Sequence, residues 1–249
     1  MRIRSPRWLN NAIGVLILLV LAELIGRTGI AGRSWPPLTE VFGYLTEPVA
    51  QATVLRALSA TAASAGWGLV LGIVFAAIAA LLSTFIPVLR PGLDRLASVL
   101  NAVPLIALAP LLITTVGRES TPAVVAALGV GFVMFVAFTA GLSGASATHQ
   151  DVFAVFGSAR TTTLLRLQVP VALPTVLDGL ALAAPTAILG ATIGEWFGAP
   201  RGLGVLIVSA MQNYQVLLLW AAALTAALLS LAAYLIAVRL QSGAVRRFT

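Results

Sequence analysis

The chain contains no cysteine, no lysine and a single histidine, and only 9% of its 249 residues are charged. Without cysteine there is no disulfide framework, no thiolate nucleophile and no Cys/His metal cluster, so no metal site is expected. Without lysine there is no Walker-type phosphate loop, and the chain cannot hold ATP in that manner by itself. His149 stands at the mouth of a polar loop, where it reads as a helix-start residue rather than a metal or haem ligand. Strands of about ten alternating residues are also missing, which excludes an outer-membrane-type barrel. Scarce charge combined with 59% hydrophobic residues and a mean hydropathy of +1.02 excludes a soluble domain, because that much apolar surface has no interior to fill.

What is present is a series of long charge-free runs. Ala57 to Leu89, Leu96 to Gly117, Ser120 to Thr148 and Gly202 to Val238 each exceed the roughly 20 residues that a helix needs to cross ~30 Å of hydrocarbon. A further run, Trp8 to about Gly26, follows Arg2, Arg4 and Arg7. It resembles the start of a signal peptide, but it is long for one, and Ala22-Glu23-Leu24 is a poor cleavage site, so a retained first helix is expected. The expected fold is all-α: one integral membrane domain over 1–249, with about six transmembrane helices near 8–26, 54–83, 96–116, 122–147, 175–197 and 216–240. All fifteen cations are arginine. Arg2, Arg4, Arg7, Arg90, Arg95, Arg160, Arg166, Arg239, Arg246 and Arg247 fall on one side of that arrangement, against Arg27, Arg33, Arg56, Arg118 and Arg201 on the other. The positive-inside rule then puts both termini in the cytoplasm. The net charge of +7 is read as topology and contact with anionic membrane lipid, not as a nucleic-acid surface.

Within the spans, two small-residue stripes at four-residue spacing stand out: Gly68, Gly72, Ala76 and Ala80 in the second, and Gly179, Ala183, Ala187 and Ala191 in the fifth. Such stripes let helices approach backbone to backbone. Between the first two spans, Trp35-Pro36-Pro37 should form a rigid turn and Leu38 to Leu45 a short interfacial helix. The third span, 96–116, carries Asn101, Pro104 and Pro110; prolines there free backbone carbonyls and make that helix a candidate wall for a pathway.

The long polar interruption is 148–174. From Asp151, the residues Val152, Val155 and Phe156 fall at i, i+3 and i+4 beside Phe153, and Gly157 should end the helix they define. A second helical stretch, Thr161 to Gln168, should be stopped by Pro170 and Pro174. Taken alone, this is equally an amphipathic helix lying on the membrane surface. The spacing, however, resembles the E-A-A-x(3)-G-x(9)-I-x-L-P loop of the permease subunits of bacterial ABC importers. Asp151-Val152-Phe153 stands at E-A-A, Gly157 at the glycine, and Leu167-Gln168-Val169-Pro170 at I-x-L-P. The spacing is kept throughout, although Asp replaces Glu, and Val and Phe replace the alanines. Pro104 to Leu111 is similar to the P-x-x-A-x-x-P-L segment of the nitrate/sulfonate/taurine-like branch, and Glu195 followed by Gly202-Leu203-Gly204 to its acidic residue and G-L-G.

The resemblance implies the type I importer permease (MetI-like) fold in a bacterial inner membrane. It implies a non-catalytic subunit, with ATP and Mg2+ on partner ATPase subunits, a second permease copy, and an external substrate-binding protein bringing a small solute such as a sulfonate, nitrate, taurine or heterocyclic precursor. It also assigns ATPase coupling to Asp151, Val152, Phe153, Phe156, Gly157, Leu167 and Pro170. The polar residues Asn101, Thr115, Thr192, Gln212 and Asn213, with Pro104 and Glu195, are candidates for the pathway; Glu195 could equally pair with Arg201 or another external arginine. The alternative function is an ATP-independent secondary transporter or channel. Such proteins usually carry ionisable groups at mid-membrane, and the central parts of the second, third, fourth and sixth spans have none.

Overall fold

The computed structural model describes residues 7–245, with side-chain surroundings for 11–243. Arg2, Arg4, Arg246 and Arg247 lie outside the described residues. Among the described residues eleven helices follow in order: α1 Arg7–Thr28, α2 Leu38–Leu45, α3 Pro48–Phe85, α4 Arg90–Ala102, α5 Leu105–Val116, α6 Thr121–Leu142, α7 Ala147–Val155, α8 Arg160–Thr163, α9 Val169–Glu195, α10 Leu203–Gln212 and α11 Val216–Val245. A 3-10 turn, Pro87–Leu89, precedes α4, and a π-helical turn, Leu164–Gln168, joins α8 to α9. No strand occurs among the described residues. Five of the helical segments are long and apolar enough to span, and the α4/α5 pair makes six if it counts as one.

The centre of the bundle is α6, packed along α3 on one side and α9 on the other, with α11 against α9. Lipid gives helices no hydrophobic reason to associate, so close packing of small residues has to hold them. Both expected stripes are buried, and Ala126 of α6 shows what they accomplish. Gly68 of α3 faces it from one side; a Cβ there would overlap the Ala126 methyl and stand 2.7 Å from the Ala123 carbonyl oxygen. Gly190 of α9, which is not in the expected stripe but stands next to its Ala191, faces it from the other, where a Cβ would stand 2.7 Å from Ala126 Cα. Neither neighbour can yield, because the opposing atoms include backbone.

Three expectations are corrected. The third span is not one helix over 96–116: α4 and α5 meet at a bend of 99°. Pro104 explains the break, since its ring drives Val103 out of the helical region, to φ −77 and ψ 124. Pro110, in contrast, remains inside α5. Next, Pro170 and Pro174 do not stop the helix after the polar loop, which runs from Arg160 to Glu195 with both prolines inside. The π turn makes this possible: the Val169 N–H reaches back to the Leu164 carbonyl, and the chain widens immediately before Pro170, a residue with no N–H to place. The non-helical part of the loop therefore ends at Ala159, and the polar residues from Arg160 to Gln168 belong to the start of the rod. Lastly, α3 starts at Pro48, six residues before the expected 54, because proline is well suited to a first helical position.

Outside the core, α1 touches mainly α2. Glu23 accepts from the Thr39 hydroxyl (2.7 Å), the Thr39 N–H (3.1 Å) and Arg27 Nε (2.6 Å). The Trp35-Pro36-Pro37 turn sits on Gly26, and Trp35 meets Trp220 of α11 edge-on at 4.8 Å.

Candidate functional site

The bend at Pro104 builds a cavity of about 520 Å³ between α4, α5, α6 and α9. Asn101, Pro104 and Thr192, three of the sequence-derived pathway candidates, line it together. The Thr192 hydroxyl hydrogen is committed to its own helix, donating to the Ile188 carbonyl at 2.8 Å, so the exposed Asn101 amide is the wall's main polar group. The rest is largely apolar: Leu100, Val103, Leu105, Ile106, Leu128, Leu189, Ile193 and Trp196, with Gly129 between them. Sequence reasoning missed these residues because it searched for polar groups, whereas ligand-sized cavities are mostly apolar with few polar contacts.

The other candidates lie elsewhere. Thr115, near the far end of α5, bonds the Leu112 carbonyl at 3.1 Å. Gln212 and Asn213 are exposed at the end of α10, where Asn213 Nδ2 donates to the Ser209 carbonyl at 2.8 Å.

Glu195, the last residue of α9, is only 1% exposed. Its Oε2 accepts from the Thr61 hydroxyl at 3.0 Å and from the Gly204 N–H at 2.7 Å, while Thr61 Oγ1 accepts from the Leu203 N–H at 2.8 Å. Leu203 and Gly204 are the first residues of α10, whose free N–H groups need acceptors and favour negative partial charge. One carboxyl and one hydroxyl thus join α3, α9 and α10. Gly202, at φ 144, lies so close to the carboxyl that a Cβ would overlap it, which accounts for the first glycine of the G-L-G segment. Among the described residues Glu195 pairs with no arginine, Arg201 included; the one ion pair is Arg27–Glu23. Thr61 was not legible in the sequence, being one of several small polar residues on α3 whose partner is 134 positions away.

At the opposite end of the bundle, α7 is a short rigid unit. Ser146 caps it, its oxygen accepting from the N–H of His149 in the first turn. Gly157, at φ 63, closes it, the Gly157 N–H bonding the Ala154 carbonyl (2.9 Å) and the Ser158 N–H the Phe153 carbonyl (3.0 Å). This is a Schellman closure, which requires a left-handed residue where glycine stands. Asp151, Val152 and Phe153 lie on α7, with Phe156 at its end. Val155 and Phe156 are 85% and 81% exposed, Val152 is exposed, and Phe153 is half-buried. Leu167 is instead buried in the bundle, and Pro170 lies exposed on the rod after the π turn. No group of residues suited to a metal occurs among those described.

The family model for the binding-protein-dependent transport system inner membrane component matches residues 68–249. A probable ABC transporter permease protein of Haemophilus influenzae is 34% identical over 67% of this chain and 69% of its own length. The formylaminopyrimidine transport permease protein ThiX of Halalkalibacterium halodurans is 30% identical over 81% of this chain and 80% of its own, and the putative aliphatic sulfonates transport permease protein SsuC of Bacillus subtilis 27% over 84% and 76%. In fold, the chain is similar to one from the inward-facing MetNI methionine ABC transporter, with a TM-score of 0.61 at 16% identity, covering 80% of this chain and 99% of that one. The matched family, the MetI-like bundle and the apolar spans together make this chain a multi-pass member of the binding-protein-dependent transport inner membrane components, a type I ABC importer permease.

Proposed function

We propose that α7 is the coupling helix through which a separate ATPase drives this permease. The observation that carries the reading is the pair Val155 and Phe156, both more than four-fifths exposed at the tip of a doubly capped helix beyond the ends of α3 and α6. Burying one such side chain is worth about 1.5–3 kcal/mol, so a groove on a partner would gain substantially by taking both. The helix is also well connected. Four residues, Ser143–Ser146, link it to α6, and after Gly157 the chain enters the rod that ends at Glu195. Movement of α7 therefore reaches α6 and α9, which wall the cavity, and Leu167 and Pro170 serve as its anchorage at the base of the rod.

In this reading ATP and Mg2+ are bound by the partner. The chain itself holds no nucleotide and does no chemistry, and the ATPase shifts the cavity between its two facings by binding them unequally. A second copy of the permease completes the route, with Asn101, Pro104 and Thr192 on its wall, and an external binding protein delivers a small solute. Both termini and α7 face the cytoplasm. Relatives named for formylaminopyrimidine, aliphatic sulfonates and riboflavin support a small sulfonate or heterocyclic solute as the class of cargo. Thr115, Gln212 and Asn213 belong to the outer rim of the route, and Glu195 acts on it through α10 rather than by touching cargo.

The test is co-purification with the ATPase. V155A/F156A should lose the partner while the permease keeps its thermal stability, since neither side chain is packed. Full retention of the ATPase by this variant would refute the assignment. Ligand binding by the external binding protein that delivers solute to this permease would identify the cargo.

A further inference from the structure

A second cavity, of about 310 Å³, opens at the α7 end of the bundle, where α3 and α6 stop. Arg90 and Arg160 line it with polar Ser143, Gln150 and Gln168, and no acidic residue is among its walls. The volume equals that of about ten waters in the liquid at ~30 Å³ each. Both arginines lack an ion pair among the described residues. Arg160 is held in place by donating from Nη1 to the Phe85 carbonyl at 3.1 Å, which leaves most of its donor fork unspent. The hydroxyls of Ser83, Thr84 and Thr139, also on the wall, each donate to a carbonyl of their own helix at 2.8 Å, so the outward donors are chiefly the guanidinium groups. Two cations around one polar space repel each other until an anion enters, and planar guanidinium forks match phosphate oxygens.

We propose that this pocket is a binding site for a phosphoryl group, supplied by an anionic phospholipid headgroup or by free phosphate. Its place in the fold favours the lipid: Ser83, Thr84 and Leu142 on its wall are the last residues or nearly so of the apolar helices α3 and α6, and basic pockets between spans are suited to anionic headgroups. Gln150 belongs to α7 and donates to the Ala145 carbonyl at 2.9 Å, so the occupant touches the short helix as well as the bundle. The proposal does not depend on any ATPase binding to α7.

The experiment uses the full-length permease in nanodiscs of phosphatidylcholine, alone or mixed with phosphatidylglycerol, with retained lipid counted by native mass spectrometry and inorganic phosphate titrated in a parallel arm. Wild type should retain one phosphatidylglycerol per chain more than R90Q/R160Q, whose affinity falls by roughly thirtyfold for two arginines, and R90K/R160K should recover part of the loss. R90Q alone, which breaks no hydrogen bond or ion pair with a described residue, gives the same direction should the double variant fail to fold. Arginine-dependent binding of inorganic phosphate without lipid retention supports the site and assigns it to the free ion. Equal phosphatidylglycerol retention and equal phosphate binding by wild type and R90Q overturn the proposal.

Discussion

Thr61→Val tests whether the Glu195 network fastens α10 to the bundle. Valine keeps the shape of threonine but removes one donor and one acceptor. The 3.0 Å bond to Glu195 and the 2.8 Å bond from the Leu203 N–H are both lost, and the latter group is left buried without a partner. A buried group stranded in this way costs about 1–3 kcal/mol. Inter-helix hydrogen bonds in membrane proteins average nearer ~0.6 kcal/mol, with a maximum of about 1.7. Two lost bonds therefore place T61V about 2 kcal/mol below wild type, or nearly thirtyfold in the unfolding constant. Reversible unfolding in mixed micelles measures this directly. T61S keeps the hydroxyl and should stay within about 0.5 kcal/mol. E195A removes the acceptor shared by Thr61 and Gly204, so the T61V/E195A pair should be less damaging than the sum of its singles by at least ~0.5 kcal/mol. If T61V matched wild type, or the pair were additive, the network would be an incidental contact and α10 would be held by the packing of Leu203.

Further outcomes follow from the packing and the proposed topology. Gly190→Leu should cost about 1–3 kcal/mol or more, because its Cβ would meet the Ala126 backbone, whereas Gly66→Leu on α3, with nothing within 4 Å, should be tolerated; equal thermal stability of the two variants would remove the close helix contact from the account. In this naturally cysteine-free chain, Ser158→Cys should react with an impermeant thiol reagent only from the cytoplasmic side and Ser120→Cys only from outside; labelling of both from one face, or the exchanged pattern, would refute the proposed topology. Gly129→Phe should obstruct the 520 Å³ cavity and abolish most uptake while ATPase co-purification survives, and normal uptake would exclude that cavity from the route.

Much of this molecule was legible as local pattern. Charge-free length marked the spans, small residues at four-residue spacing marked the buried stripes, and Gly157 after an apolar turn marked the end of α7, because each depends on backbone geometry within a few residues. Local pattern failed where a neighbour decided the outcome. Two prolines in one apolar run read alike, yet only Pro104 breaks the chain, and Pro170, expected to end a helix, is carried through it by the π turn. The candidate site divides in the same way. Asn101, Pro104 and Thr192 were found by residue type, but residue type alone grouped them with Thr115, Gln212 and Asn213, which lie elsewhere. That Glu195 would choose Thr61 and the start of α10 over the nearby Arg201 was a tertiary decision, because a buried carboxyl takes whatever donors the packed helices bring to it. The sequence by itself determined that this chain crosses a membrane as small-faced helices and that its polar loop carries a short apolar-faced helix ended by Gly157. Only the fold decided which polar groups meet, since helices far apart in the chain must pack before their donors and acceptors come within reach.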